Sequence, residues 1–240
     1  ASESTLSWII SGYALAFGLA LIPAGRLGDR YGHKWVFITG LALFTAASLA
    51  CGLAQNDLQL IIARVVQGLG GGIFFPAVSA FIQLLFPPMA RGKAFAILGA
   101  VIGVSSALGP LVGGLIIQAL GDETGWRWIF AVNLPIGVIV LVAAIALLPS
   151  EAAGKATSND LIGLVLLSGA LVALLVPLIQ GQEEGWPLWT YLSIGGGVLL
   201  VVLFALWERH VASRGKDPLV PPRLFAHAQL AAGTILALVF

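Results

Sequence analysis

Long apolar runs, broken by short polar ones, dominate this chain. A spanning helix needs roughly 20 predominantly apolar residues. Seven stretches meet that measure: about 7–25, 36–54, 60–86, 94–120, 128–148, 161–180 and 190–207. An eighth begins near 228 and has only about a dozen residues before Phe240. The pattern predicts an all-α integral membrane protein with about seven complete transmembrane helices and the start of another.

The polar interruptions alternate in sign. One set carries Arg26, Arg30 and Lys34, then Arg91 and Lys93, then Lys155, then Arg209, Arg214, Lys216 and Arg223, which is ten of the twelve basic residues. The opposite set carries Asp57, then Asp122, Glu123 and Arg127, then Glu183 and Glu184. Basic loops stay in the cytoplasm, so residues 25–34, 87–93, 149–160 and 208–227 are expected there, in a multi-pass cell-membrane protein. Residues 1–6 then fall on the outer side, with no basic leader to carry them across. The expectation is at least one further span upstream, and a chain that is part of a longer protein. Trp8, Trp126, Trp128, Trp186 and Trp189 lie near the expected outer ends, where indole rings favour the interface.

Composition supports the membrane assignment. Hydrophobic residues make up 59% of the chain and charged residues 10%, where a soluble domain carries about 25% charged residues. The net charge is +1, and no basic stripe with interleaved aromatics points to nucleic acid. Cys51, the single cysteine, cannot form an internal disulfide and reads as a small packing residue. His33, His210 and His227 show no metal-ligand spacing. No phosphate loop, dinucleotide fingerprint or nucleophile motif is present, so no cofactor, no metal and no catalytic residue are expected.

The densest polar stretch is Gly25-Arg26-Leu27-Gly28-Asp29-Arg30-Tyr31-Gly32-His33-Lys34. It reads as a tight turn between two antiparallel helices, with glycines at 25, 28 and 32 permitting the turn. A loop that only fixed topology would need no acid, so Asp29 between Arg26 and Arg30 points to a partner.

Inside the spans, Arg64 is the one deeply placed cation. The mild insertion scale charges about 2.5–3.5 kcal/mol for an arginine at a helix centre. Either it snorkels to the outer surface past Asp57, or it serves function with Gln67 one turn on. Gly68, Gly70, Gly71 and Gly72 leave that helix thin enough for close approach, and Pro76 bends it. The next helix repeats Gly99, Gly103 and Ala107, continues with Gly109 and Gly113, and holds Pro110, which predicts a tightly packed helix with a hinge at Gly109-Pro110 and Gly113-Gly114. Asn133 and Pro135 follow one turn inside the next span and should face protein or water.

Four motifs in order resemble the major facilitator superfamily. Gly25-x-Leu27-x-Asp29-Arg30-x-Gly32-His33-Lys34 resembles its signature segment between the second and third helices, with His33 where Arg is commoner. Arg64-x-x-Gln67-Gly68 resembles the fourth-helix motif. Gly109-Pro110-x-x-Gly113-Gly114 resembles the antiporter motif of the fifth, although Ser105 and Ala96 stand where glycine is usual. Trp126-Arg127-Trp128 with Asn133-Leu134-Pro135-Ile136-Gly137 is similar to the fourteen-span drug:proton antiporters.

The resemblance implies a fragment of that fold: residues 1–149 as an N-terminal bundle lacking its first helix, 150–210 as two linking helices, and 211–240 as a cytoplasmic loop and the start of a C-terminal bundle. Gly25, Asp29, Arg30, Gly32 and Lys34 would form a conformational latch. Arg64, Gln67 and Gly68 would belong to a proton-coupling network whose acid lies outside this sequence. Gly109, Pro110, Gly113 and Gly114 would be the antiporter hinge. Tyr13, Phe74, Phe75 and Asn133 are candidates for the substrate pocket. The implied activity is proton-coupled export of lipophilic or cationic compounds by alternating access, with the bilayer, protons and small substrates as partners and no nucleic acid. The sequence names no accessory protein. An exporter of one defined metabolite, or a membrane scaffold without a transport cycle, are the alternatives.

Overall fold

The computed structural model describes residues 3–121, 123–150, 160–182, 184–215 and 218–219. Among them are eight helices: α1 (Glu3–Tyr31), α2 (His33–Leu53), α3 (Asp57–Leu85), α4 (Pro88–Leu120), α5 (Gly125–Ala131), α6 (Asn133–Leu147), α7 (Leu161–Gln180) and α8 (Leu188–Ser213). Taking α5 and α6 together as Gly125–Leu147, seven are long and apolar enough to cross a membrane. The start of a span near 228, the link 151–159 with Lys155, and Arg223 lie outside the described residues. The chain divides into two compact units, Ala1–Lys155 and Ala156–Phe240.

The helices are longer than their apolar windows. α1 continues through Gly25, Gly28 and Asp29 to Tyr31, so residues 25–34 are not the loop expected from the sequence. Gly32 alone leaves the helix, at φ 90°, where a side chain would be strained. Gly28 has another use. A Cβ there would lie 2.7 Å from Cδ2 of His33, so the bare α-carbon seats the imidazole that begins α2. Likewise α4 begins at Pro88 rather than near 94. Proline suits the first helical position, where an amide proton would lack a partner, and Arg91 and Lys93 are therefore helical. Ser213, not residue 207, ends α8.

In the first unit, α3 lies between α1 and α2, and its glycines face both. A Cβ on Gly68 would collide with the carbonyl oxygen of Tyr13, and one on Gly72 with that of Phe17. On the other face, a Cβ on Gly70 would sit 2.6 Å from the Phe44 nitrogen, and one on Gly40 of α2 would sit 2.7 Å from the Phe74 nitrogen. Gly68 and Gly72 are one turn apart and share a stripe, while Gly70 points away from it. One run of small residues thus seats two helices. Asn56 starts α3: its side chain accepts from the Gln59 amide at 2.9 Å, and Gln59 Oε1 accepts from the Gln55 amide at 2.8 Å.

Expected close packing along α4 is not found among the described residues. Nothing lies within 4 Å of a Cβ built on Gly99, Gly103, Gly109 or Gly114, and α4 has no buried residue. Its close approach is at its C-terminal end instead, where a Cβ on Gly125 would sit 2.8 Å from the Ile117 α-carbon. The span after α4 is interrupted at Val132, because Pro135 offers no amide proton to the Ala131 carbonyl. That interruption makes Asn133 the first residue of α6.

Two basic residues join α2 to the span formed by α5 and α6, one at each end. Lys34 Nζ donates to the carbonyls of Ile145 (2.9 Å) and Leu148 (2.7 Å) at the end of α6. Arg127 Nη1 donates to the Gly52 carbonyl at the end of α2, at 2.7 Å. Helix ends leave carbonyls without intrahelical partners, and a cation there also opposes the helix dipole. Lys34→Met should lower the melting temperature of the detergent-solubilised protein, by about 1 kcal/mol of stability from the lost bonds. An unchanged melt would show that water replaces the lysine.

The second unit is the antiparallel pair α7 and α8. Asp160 Oδ1 accepts from the Gly163 amide (2.9 Å) and from Trp207 Nε1 (2.8 Å), so one carboxylate starts α7 and holds the far end of α8. Ser193 Oγ donates to the Ala173 carbonyl at 2.9 Å, and Ala170 and Thr190 are fully buried.

Candidate functional site

The interior of the first unit holds one connected polar cluster, centred on Gln67. This side chain is 1% exposed, and amides so buried need partners for both ends. Its Oε1 accepts from Arg64 Nη1 at 2.6 Å and from the Cys51 thiol at 3.8 Å. Its Nε2 donates to Ser48 Oγ over a short distance. Ser48 also accepts from Asn133 Nδ2 at 3.3 Å. Arg64 and Gln67 come from α3, Ser48 and Cys51 from α2, and Asn133 from α6.

Arg64 turns toward α1. Its Nε donates to the Ile9 carbonyl of α1 at 3.1 Å, and its guanidinium lies over the Tyr13 ring, 4.1 Å from the centroid, with Phe130 at 5.8 Å. A cation over an aromatic face is attracted by the ring quadrupole. Together these contacts hold the charge between α1, α3 and α5. Gly68, next to the pair, contributes by letting α1 approach: its bare α-carbon abuts the Tyr13 carbonyl.

The four candidates for a pocket do not converge. Phe74 packs edge-on against Phe37 and Phe44 of α2, with ring centroids at 5.8 and 5.7 Å. Phe75, one residue on, turns to α1 and meets Phe17 at 5.7 Å. Tyr13 stacks on Phe17 and under Arg64, and Asn133 is bonded to Ser48. Tyr13, Phe17 and Phe75 make a continuous aromatic row on the α1 side, and Phe75 is 37% exposed. A cavity of about 250 Å³ opens elsewhere, between α2 and α5, lined by Ser48, Leu49, Gly52, Arg127, Trp128 and Ala131 among others.

At the opposite end, Asp29 remains accessible, with a side chain 65% exposed and one oxygen 3.5 Å from His33 Nε2. The Arg30 guanidinium rests 5.2 Å from the Tyr31 ring centroid. Lys34 belongs with α6, as described above. The Gly109–Gly114 segment runs unbroken through Pro110 within α4.

Ser48 and Cys51 carry no motif, and the sequence reading missed both as members of this cluster. A signal was present: Thr45, Ser48 and Cys51 recur every third residue in the otherwise apolar second half of the helix.

A family model described as Major Facilitator Superfamily matches residues 1–240. The chain belongs to the major facilitator superfamily. It is 40% identical over 239 residues to a probable actinorhodin transporter of Streptomyces coelicolor, a match covering 100% of this chain and 41% of that protein. It is 38% identical to the tetracenomycin C resistance and export protein of Streptomyces glaucescens, over 98% of this chain and 43% of the relative. The methylenomycin A resistance protein of Bacillus subtilis is 35% identical over 98% of this chain and 49% of its own length. The chain thus spans less than half the length of these curated relatives. Membership and the seven spans make it a multi-pass cell-membrane protein of the superfamily, and its relatives are named for transport, export and resistance.

Proposed function

We propose that this chain is part of a proton-coupled secondary transporter that exports lipophilic, often cationic, toxic compounds by alternating access. It supplies helices two to six of the N-terminal bundle and two linking helices. Residues 25–34, 87–93, 149–160 and 208–227 face the cytoplasm, and no enzymatic step is involved. The observation that carries this reading is the Arg64–Gln67 pair, held in the interior by four helices. A cation at that depth is costly and marks a working site in membrane proteins. Its role is to tune the proton affinity of an acid supplied by the rest of the protein, since a nearby cation favours the ionised carboxylate. Alternating access then rocks two bundles around a midplane site. Asp29 and Arg30 act as the cytoplasmic latch, Gly109, Pro110, Gly113 and Gly114 as the hinge, and the aromatic row of Tyr13 and Phe75 as one wall of the path.

A second reading, export of one defined compound, is favoured by relatives named for single ones: actinorhodin, tetracenomycin C and methylenomycin A. The test is the whole protein in vesicles under an imposed pH gradient, assayed with a fluorescent lipophilic cation and, separately, with tetracenomycin C. Movement of both supports the broad exporter, and movement of one the narrow one. Movement independent of the gradient overturns proton coupling.

Asp29→Asn should slow turnover about tenfold, which corresponds to roughly 1.4 kcal/mol on the barrier, while leaving the amount of protein in the membrane unchanged. The exposed carboxylate has little to do with folding, so a wild-type rate would remove it from the latch.

A further inference from the structure

We propose that Ser48 is a positioning residue for Arg64, the junction through which Asn133 of α6 and Gln67 of α3 are tied into one relay ending at the guanidinium. The inference rests on the reading of Arg64 as part of the proton-coupling network.

A serine hydroxyl has two lone pairs that can accept. In Ser48 both are engaged, by Gln67 Nε2 and by Asn133 Nδ2. Ser48 is 0% and Gln67 1% exposed, so the bond between them is shielded from water, while the bond to Asn133 is part-buried. This arrangement orients the Gln67 amide. With its nitrogen on the serine acceptor, its oxygen faces Arg64 Nη1 at 2.6 Å. Turned the other way, the amide nitrogen would oppose a guanidinium that only donates. Arg64, which only donates, turns the Gln67 oxygen toward itself, and the Ser48 hydroxyl, which also accepts from Asn133, receives the amide nitrogen and holds that orientation.

Asn133 brings the third helix into the relay. It is the first residue of α6, at the interruption made by Pro135, so a reorientation of α6 against α2 acts directly on the Asn133–Ser48 bond. One turn along, Gly137 keeps these helices close, because a Cβ there would collide with the Thr45 hydroxyl. Thr45 and Ser48 lie three residues apart on α2, and Asn133 and Gly137 four apart on α6. The close crossing and the hydrogen bond are thus neighbouring contacts of one interface, and the bond length follows the crossing. Arg64 is anchored on its other side by the Ile9 carbonyl and the Tyr13 ring, so losing Gln67 as an acceptor lets the charge shift toward α1.

A shift of the cation changes its distance from the coupling acid and with it the acid's proton affinity, so the pH midpoint of export should move. In vesicles carrying the whole protein, Ser48→Ala should move the midpoint by about half a unit or more, and Ser48→Thr, which keeps the hydroxyl, should restore it. Asn133→Ala should shift the midpoint the same way, and the double variant Ser48→Ala/Asn133→Ala should add little, since both cut one relay. A structural role alone would lower the rate at every pH and leave the midpoint in place. Alkylation of Cys51, the single cysteine of these 240 residues, followed on its own peptide, gives a readout that needs no transport. Freeing Gln67 removes the acceptor of its thiol, so N-ethylmaleimide should label Ser48→Ala severalfold faster than wild type.

An unshifted midpoint with unchanged labelling in Ser48→Ala overturns the junction. Should that variant fail to reach the membrane, Asn133→Ala decides: a shift supports the relay, and a wild-type midpoint overturns it. A wild-type protein without gradient-driven export overturns the parent reading instead, and is distinguished from failure of the junction by that control.

Discussion

Arg64→Ala should abolish gradient-driven export, with a fall of at least about a hundredfold, or roughly 2.7 kcal/mol on the barrier. Three interactions would be lost together: Nε to the Ile9 carbonyl, Nη1 to Gln67 Oε1, and the guanidinium over the Tyr13 ring. Arg64→Lys is the more informative companion. It keeps the positive charge, but an ammonium on a flexible stem cannot donate along two fixed directions while lying flat on a ring. If charge alone mattered, lysine would retain coupling. If the fixed fork matters, lysine should lose most of the coupled rate while still allowing slow, gradient-independent equilibration of substrate. The measurement is initial rate of efflux with and without the pH gradient, normalised to protein in the vesicles. Coupled export by Arg64→Ala at near the wild-type rate would remove the residue from the mechanism.

The second large effect concerns folding. Gly68→Val and Gly72→Val should each destabilise the first unit by about 3 kcal/mol or more. The new Cβ in each case meets a carbonyl oxygen of α1, and backbone cannot rotate away as a side chain can. Gly72 has a further neighbour, the Ala20 Cβ, which would lie 2.7 Å from the added atom. Both variants should show reduced amounts in the membrane and a lower melting temperature in detergent. Gly99→Ala and Gly103→Ala make the control, since nothing lies within 4 Å of a Cβ built at either position among the described residues. Equal losses at all four positions would mean that glycine matters on α3 for backbone reasons rather than for the approach of α1.

Much of the architecture could be read without coordinates because the bilayer imposes one-dimensional rules. Spans must be apolar for a set length, their backbone must be helical, and basic loops stay on one side. Those rules act on local composition, so the seven spans and the alternation of charge are visible in the residues in order. The motifs at 25–34 and 64–68 were legible for a different reason. A charge in or beside a membrane is costly, so Asp29 and Arg64 stood out against an apolar background.

Other features depend on which helix lies beside which, and that depends on packing. Short connections hid the true helix ends: Gly25 and Gly28 have the composition of a turn, yet only Gly32 adopts a conformation that side chains avoid. The glycines of α3 announced close approach but not that two helices use them, because neighbouring residues of a helix point about a quarter-turn or more apart. The same rotation sends Phe74 to α2 and Phe75 to α1. Lys34 read as part of the basic latch segment and Arg127 as the one basic residue of the opposite loops, and their hydrogen bonds to helix ends more than 70 residues away in the chain became visible only in three dimensions. Ser48 is the clearest case. A lone serine within an apolar run has no pattern of its own, and its importance comes from two amides, on α3 and α6, that reach the same oxygen.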